Sequence, residues 1–365
     1  MGKTRSAPDL ILLIVTLSIL AIGIVMVYSA SAVLSIHEHG ESFYFVKRQL
    51  LFAVLGILAM ITTMNVSYIS WKPYANWGLL IGFALLVIVL IPGIGVIRGG
   101  ARSWLGIASF GIQPSEFMKM AIILFLAKRL SGDSTLITEF RQGLLPSLAI
   151  MGGALGLIML QPDLGTGVVL VGASILIIYS AGARIAHLGG LALVGLAGLV
   201  GLILAAPYRM KRITGFLDPW QDPLGTGYQI IQSLYAIGPG GFVGLGLGMS
   251  RQKYSYLPEP QTDFIFSIIG EELGFIGGSL VIVLFALLVW RGMRIAITAP
   301  DTFGSLLAVG IVGMIAVQVI INIGVVIGMF PVTGITLPLI SYGGSSLTLM
   351  LTSIGILLNI SRYSR

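Results

Sequence analysis

The sequence predicts an all-α integral membrane protein, a polytopic bundle of about ten transmembrane helices with a long outer loop between the seventh and the eighth. Three observations carry that reading. Of the 365 residues, 56% are hydrophobic and 10% are charged, where soluble domains average about 25% charged. The mean hydropathy is +1.00. The apolar residues also fall in long continuous runs, not in the alternating stretches of about ten residues that a membrane β-barrel strand needs. An ordinary cytosolic enzyme, a disordered chain and a disulfide scaffold are excluded, the last because the chain has no cysteine. Thiolate nucleophiles and Cys-ligated metals go with it.

A crossing needs about 20 mostly apolar residues. Candidates lie at 10–34, 46–65, 76–92, 114–130, 143–160, 164–181, 187–206, 264–290, 303–329 and 335–360. The first follows Lys3 and Arg5 as a signal peptide would, but it outruns a signal h-region of about 7–15 residues and reads as a retained span. Residues 1–365 form a single transmembrane domain. Ten spans place both termini on one side, and the basic residues choose which. With the termini in the cytoplasm, eleven basic residues occupy inner segments and four (Lys47, Arg48, Arg98 and Arg102) occupy short outer connectors, the asymmetry that membrane insertion favours. Part of the net charge of +7 is therefore topological, and it is no sign of nucleic acid. His37 and His39 sit in a polar connector, and no histidine pair has the spacing of a helical zinc site.

The outer loop, about 207–263, is long, aromatic and Gly-rich. Within it Ile230, Ile231, Leu234 and Ile237 recur at helical spacing, which predicts an amphipathic helix lying on the membrane surface. The absence of a convincing internal repeat weighs against many secondary transporters.

Ionisable residues at membrane depth need a reason. In Gln113-Pro114-Ser115-Glu116-Phe117-Met118-Lys119, Pro114 suits a helix start, and Glu116 and Lys119 share a face at i, i+3. They form a local ion pair, a polar cavity wall, or both. Asp263 opens the eighth span, where an acid favours the helix dipole and Thr262 is the alternative cap. Glu271 lies about 12 Å deeper on the same helix, with Glu272 on the opposite side, so the helix carries acids at more than one depth. Gln161-Pro162-Asp163-Leu164-Gly165-Thr166 reads as a turn with an N-cap. Ser341-Tyr342-Gly343-Gly344-Ser345-Ser346 opens the last span with glycines that permit close backbone approach.

Taken together, these motifs resemble the SEDS family (shape, elongation, division and sporulation) along essentially the whole chain, most specifically from Asn322 through Gly328, Pro331, Gly334 and Ile335 to Ser346. The likeness is closer to the sporulation and division branch than to the elongation branch. It implies a peptidoglycan glycosyltransferase that polymerises lipid II on the outer face of the cell membrane and releases undecaprenyl diphosphate, for septal or spore-cortex wall. The family's essential acid matches Asp263. Arg102, Glu116, Lys119, Asp163, Arg209, Arg212, Ser341, Gly343 and Gly344 are the substrate-binding candidates. Arg102, Lys119, Arg209 and Arg212 are cations for the diphosphate, Glu116 and Asp163 are their positioners, and a divalent cation (Mg or Mn) is an alternative for the same task. The resemblance also implies a class B penicillin-binding protein as partner, together with division or sporulation wall-synthesis proteins. Two other readings are a lipid II flippase and a non-catalytic scaffold for a septal synthase. The position of Asp263 at an outer helix start, beside a long loop, favours the enzyme.

Overall fold

The computed structural model describes residues 6–98, 100–107, 110–132, 139–204, 207–254 and 256–364. Twelve α-helices are seen among them: α1 (Leu10–His39), α2 (Tyr44–Asn65), α3 (Ala75–Leu90), α4 (Pro114–Leu130), α5 (Leu145–Met159), α6 (Leu164–Ser180), α7 (Ile185–Leu204), α8 (Pro207–Leu217), α9 (Tyr228–Gly240), α10 (Ile265–Thr298), α11 (Thr302–Val326) and α12 (Gly344–Ser361). All but α8 and α9 coincide with the ten expected spans. The chain is a polytopic membrane protein.

Local chemistry sets the helix ends. The Asp9 side chain accepts from Leu12 N at 2.9 Å and caps α1. Gly40, at φ 73°, closes the same helix with its N–H on Ile36 O, a left-handed residue that costs glycine little. The helix runs on to His39, so His37 and His39 belong to its last turn and not to a connector. Pro114 starts α4, and Asp301 caps α11 through Gly304 N at 2.9 Å.

Packing centres on α11, which lies against α10, α6 and α4, while α2 and α12 form the most intimate pair. Gly355 is the reason for the second contact, since a Cβ there would clash with Thr63 Oγ1 and Met60 O. Gly355→Val is expected to destabilise the fold by about 1–3 kcal/mol, the usual consequence of overpacking, read as a lower thermal unfolding midpoint in detergent. On its other face α2 exposes Leu50, Leu51, Val54, Leu55 and Leu58. A contiguous apolar stripe of this kind is a lipid-facing surface.

Both termini lie at one end of the bundle, where Ser6 N donates to Arg362 O at 3.0 Å and Arg291 pairs with Asp9. Three features at the opposite end depart from the simplest reading of the sequence. Between α3 and α4 the chain forms a small antiparallel sheet, β1 (Gly95–Arg98), β2 (Ala101–Ile107) and β3 (Phe110–Ile112), in that order. The amphipathic helix is present as α9, but only part of its apolar face packs on protein, since Leu234 stays exposed and Ile237 is half-buried. Ile230 and Ile231 are buried, and Ser233 Oγ meets Val326 O at 2.6 Å and Ser267 Oγ at 2.8 Å. Finally, α10 is not one continuous span, because Gly274 has φ 65° and ψ −161° and divides it.

Candidate active site

Four segments converge at the end of the bundle away from the termini. They are the start of α4, the turn between α5 and α6, the chain leading into α10, and the stretch 331–346 that leads into the first turn of α12. Side chains of α11 tie them together. Lys119 Nζ lies 2.7 Å from Glu116 Oε1, and the two side chains are 2% and 8% exposed. Lys119 also donates to Gln318 Oε1 at 3.2 Å, and Gln318 Nε2 donates to Thr336 O. The other oxygen of Glu116 accepts from Ser346 Oγ at 2.8 Å. The ion pair foreseen from the i, i+3 spacing is thus also the wall between α4, α11 and α12.

Asp163 caps α6 through Thr166 N at 3.1 Å and accepts from Gln113 Nε2 at 2.9 Å. Burial pushes its carboxyl above the ordinary value, and the bonds to Thr166 pull it part of the way back.

Asp263 is held by its backbone. Asn322 Nδ2 donates to Asp263 O at 2.8 Å and to Ile335 O at 2.7 Å. On the preceding residue, Thr262 O accepts from Ser341 Oγ at 2.6 Å, and Gln261 O accepts from Tyr342 N at 2.8 Å. Gly334, at φ +75°, stands beside the carboxylate, where an added Cβ would lie 3.7 Å from Asp263 Oδ2. Among the described residues no donor bonds to that carboxylate. It is not a helix cap either, since the N-cap of α10 is Phe264 with no side-chain bond, and Thr262 Oγ1 turns back to Glu259 O. Burial raises the Asp263 pKa to about 7, Glu259 and Asp163 add to the rise by repulsion, and Arg212 opposes it. The result is a carboxylate with the basicity of a histidine and free lone pairs, the profile of a general base.

The other candidates are distributed around this group. Arg212, on α8, donates to Val332 O at 3.1 Å and is the cation whose field reaches Asp263. Arg209 is on the same helix, but its side chain lies outside the described residues. Arg102 is on β2, opposite Ile97, and among the described residues no hydrogen bond joins it to the cluster. The Ser341 hydroxyl is committed to backbone groups, accepting from Leu337 N and donating to Thr262 O, so it shapes the loop. Gly343 is the N-cap position of α12, and Gly344 allows Phe52 to pack against the helix. Among the described residues no three His, Asp or Glu side chains gather to hold a metal ion, and Asp163 already serves three donors, Gln113, Ser115 and Thr166. The donor set does not fit a protein-held divalent cation, and no step is routed through one.

An apolar groove of about 540 Å³ reaches the cluster from the side of the bundle. Phe52, Leu55, Leu85, Ile112 and Phe117 line it, and Ser345 and Thr348 are its hydroxyl-bearing residues. Ser345 is the residue before the Ser346 that binds Glu116. The sequence reading missed a second buried polar group, in which Lys253 from the long loop pairs with Glu272 of α10 at 3.2 Å. The acids were visible as an anomaly in an apolar span, but the cation that pairs with Glu272 sits 19 residues earlier, in the loop outside that span.

Fold and site together describe a polytopic helical bundle with a raised-pKa carboxylate and a buried ion pair gathered at the end away from its termini. The chain belongs to the FtsW/RodA/SpoVE family, since the family model described as "cell cycle protein" matches residues 9–365. Among its relatives, stage V sporulation protein E of Bacillus subtilis is 62% identical over 100% of both chains. A probable peptidoglycan glycosyltransferase FtsW of Trichlorobacter lovleyi is 46% identical over 97% of this chain and 93% of its own. Among solved structures, a chain of a peptidoglycan synthase complex superposes with TM-score 0.79 at 32% identity over 98% of each chain. The rod shape determining protein RodA of Thermus thermophilus does so with TM-score 0.72 at 29% identity, over 98% of this chain and 97% of its own.

Proposed function

We propose that this protein is a peptidoglycan glycosyltransferase that polymerises lipid II at the outer face of the cell membrane, for septal or spore-cortex wall, with its termini in the cytoplasm. The observation that carries the mechanism is Asp263, partly buried, unpaired and raised to about pKa 7 beside Arg212. The isoprenoid tail lies in the apolar groove and the diphosphate where Ser345 borders it. The Asp263 carboxylate takes the proton of the acceptor sugar hydroxyl as that oxygen bonds to the anomeric carbon of the donor. The carbon–oxygen bond to the diphosphate breaks, and the electron pair leaves with undecaprenyl diphosphate. Cations facing the leaving group stabilise its charge; Arg212 and Lys119 are the nearest to the cluster, with Arg102 and Arg209 on neighbouring elements. A class B penicillin-binding protein supplies crosslinking; this chain's one Ser-x-x-Lys spacing, Ser250–Lys253, stands without the supporting motifs of a transpeptidase.

The test is incubation of the purified chain, with and without that partner, with labelled lipid II in detergent, where flipping leaves no signal and polymerisation does. Glycan strands support the enzyme, and their absence from every reconstitution would leave the flippase or scaffold readings. Arg212→Ala is expected to lower turnover on the order of 100-fold while the protein still inserts. Unchanged turnover would remove Arg212 from charge stabilisation.

A further inference from the structure

The break in α10 is filled by the long loop. In a continuous helix Phe275 N and Ile276 N would donate to Glu271 O and Glu272 O. Here those carbonyls accept from Leu245 N and Gly246 N, each at 3.0 Å, while the two amides donate to Gly241 O at 2.9 Å and Phe242 O at 3.1 Å. Two intrahelical bonds have become four bonds to an inserted segment, so these two carbonyls and two amides all keep partners. The approach is close enough to require glycine on both sides. An added Cβ on Gly240 would clash with Gly270 O, one on Gly244 with Glu272 O, and one on Gly274 with Gly244 N.

The side chains at the break lock the insertion. Glu271 accepts from Ser250 Oγ at 2.5 Å and Arg251 N at 2.8 Å. Glu272 accepts from Ser250 N at 3.1 Å and Lys253 Nζ at 3.2 Å, and from Ser29 Oγ of α1 at 2.6 Å. Lys253 Nζ also donates to Gly248 O at 2.6 Å. Glu271, Glu272, Ser250 and Lys253 are 1%, 0%, 1% and 5% exposed. Nothing in the glycosyl-transfer step uses these groups.

Because of the break, residues 265–273 form a short helix of their own, directly after Asp263, whose angle to the spanning part of α10 is set by the inserted loop. We propose that Lys253, acting through Glu272, is a positioning residue for Asp263, with the loop wedge as the element that transmits it. The proposal rests on the glycosyltransferase reading for its activity readout and on backbone protection for its structural one.

The test uses the full chain in detergent and compares Lys253→Met, the double variant Lys253→Met/Glu272→Gln, which leaves no unpaired buried charge, and Lys253→Arg. Hydrogen–deuterium exchange reads the amides of 245–246, 275–276 and 261–268, and lipid II polymerisation reads kcat and KM. In the first two variants the wedge amides and the 261–268 segment lose protection together, and kcat falls about 10- to 100-fold with KM within twofold, the signature of a misplaced catalytic group. Lys253→Arg restores both. The proposal is overturned if the wedge amides exchange faster while 261–268 stays protected, if kcat stays at the wild-type level, or if the wedge stays protected in the double variant. Should the wild-type chain fail to polymerise both with and without its partner, the enzymatic reading falls, and the exchange comparison by itself still decides whether Lys253 places the Asp263 segment.

Discussion

Asp263→Asn is expected to stop lipid II polymerisation while leaving membrane insertion intact. A positioned general base contributes about 10²–10⁴ in rate, and an amide cannot take the acceptor proton, so turnover should fall by roughly 10³ or more. The pH dependence follows from the same group. The active form is the carboxylate, and its pKa is about 7, so wild-type kcat/KM should climb as pH rises through 7 and then level. The effect on stability has the opposite sign. A carboxyl raised from 3.8 to about 7 by folding contributes stability that is fully present below the ordinary carboxylate pKa and is lost as pH rises through 7. The neutral Asn escapes that loss, so at pH 8 the variant should unfold at the same temperature as wild type or higher. Glycan gels, a pH–rate profile and thermal unfolding in detergent measure the three expectations. Robust polymer from the purified variant would end the assignment of Asp263 as the base.

Much of this architecture is legible in the sequence because membrane spans are local. Each is a continuous apolar run whose length is set by the bilayer, so ten spans could be placed without knowing what packs on what. The Glu116–Lys119 pair was legible for a similar reason, since both partners sit on one helical face. The features that escaped depend on distant chain. Gly274 is one of 49 glycines, and nothing near it says that 241–246 will arrive to take over its neighbours' hydrogen bonds. Lys253 and Glu272 meet only because of that insertion. Ile230 and Ile231 announce an apolar helix face, but periodicity alone does not say whether lipid or α10 covers it. The sheet carrying Arg102 did have a signal, the pair Gly99-Gly100 between apolar stretches, which the predominance of helix obscured. Asp263 could be singled out as an acid at a helix start. Its freedom from capping comes from Phe264 holding the N-cap position, and its raised pKa from burial with Glu259 and Asp163 against the opposing charge of Arg212, which only the fold assembles.

Lys119 is where stability and catalysis can be separated. Lys119→Met leaves the Glu116 carboxylate buried without its cation and with Ser346 as its remaining side-chain donor. Breaking a buried pair in this way costs about 3–5 kcal/mol, so a marked drop in the unfolding midpoint is expected. Lys119→Met/Glu116→Gln removes both charges and keeps similar volumes, and most of the stability should return. Turnover should not return. An ammonium has three donors, and Lys119 spends two, on Glu116 Oε1 and Gln318 Oε1. The third has no partner among the described residues, and the charge-stabilising role assigns it to a phosphate oxygen of the diphosphate. If Lys119 served packing alone, the double variant would polymerise lipid II at close to the wild-type rate, and the diphosphate would have to be assigned to the arginines. If it stabilises the leaving group, kcat remains depressed on the order of 100-fold in a protein that is folded and thermally robust.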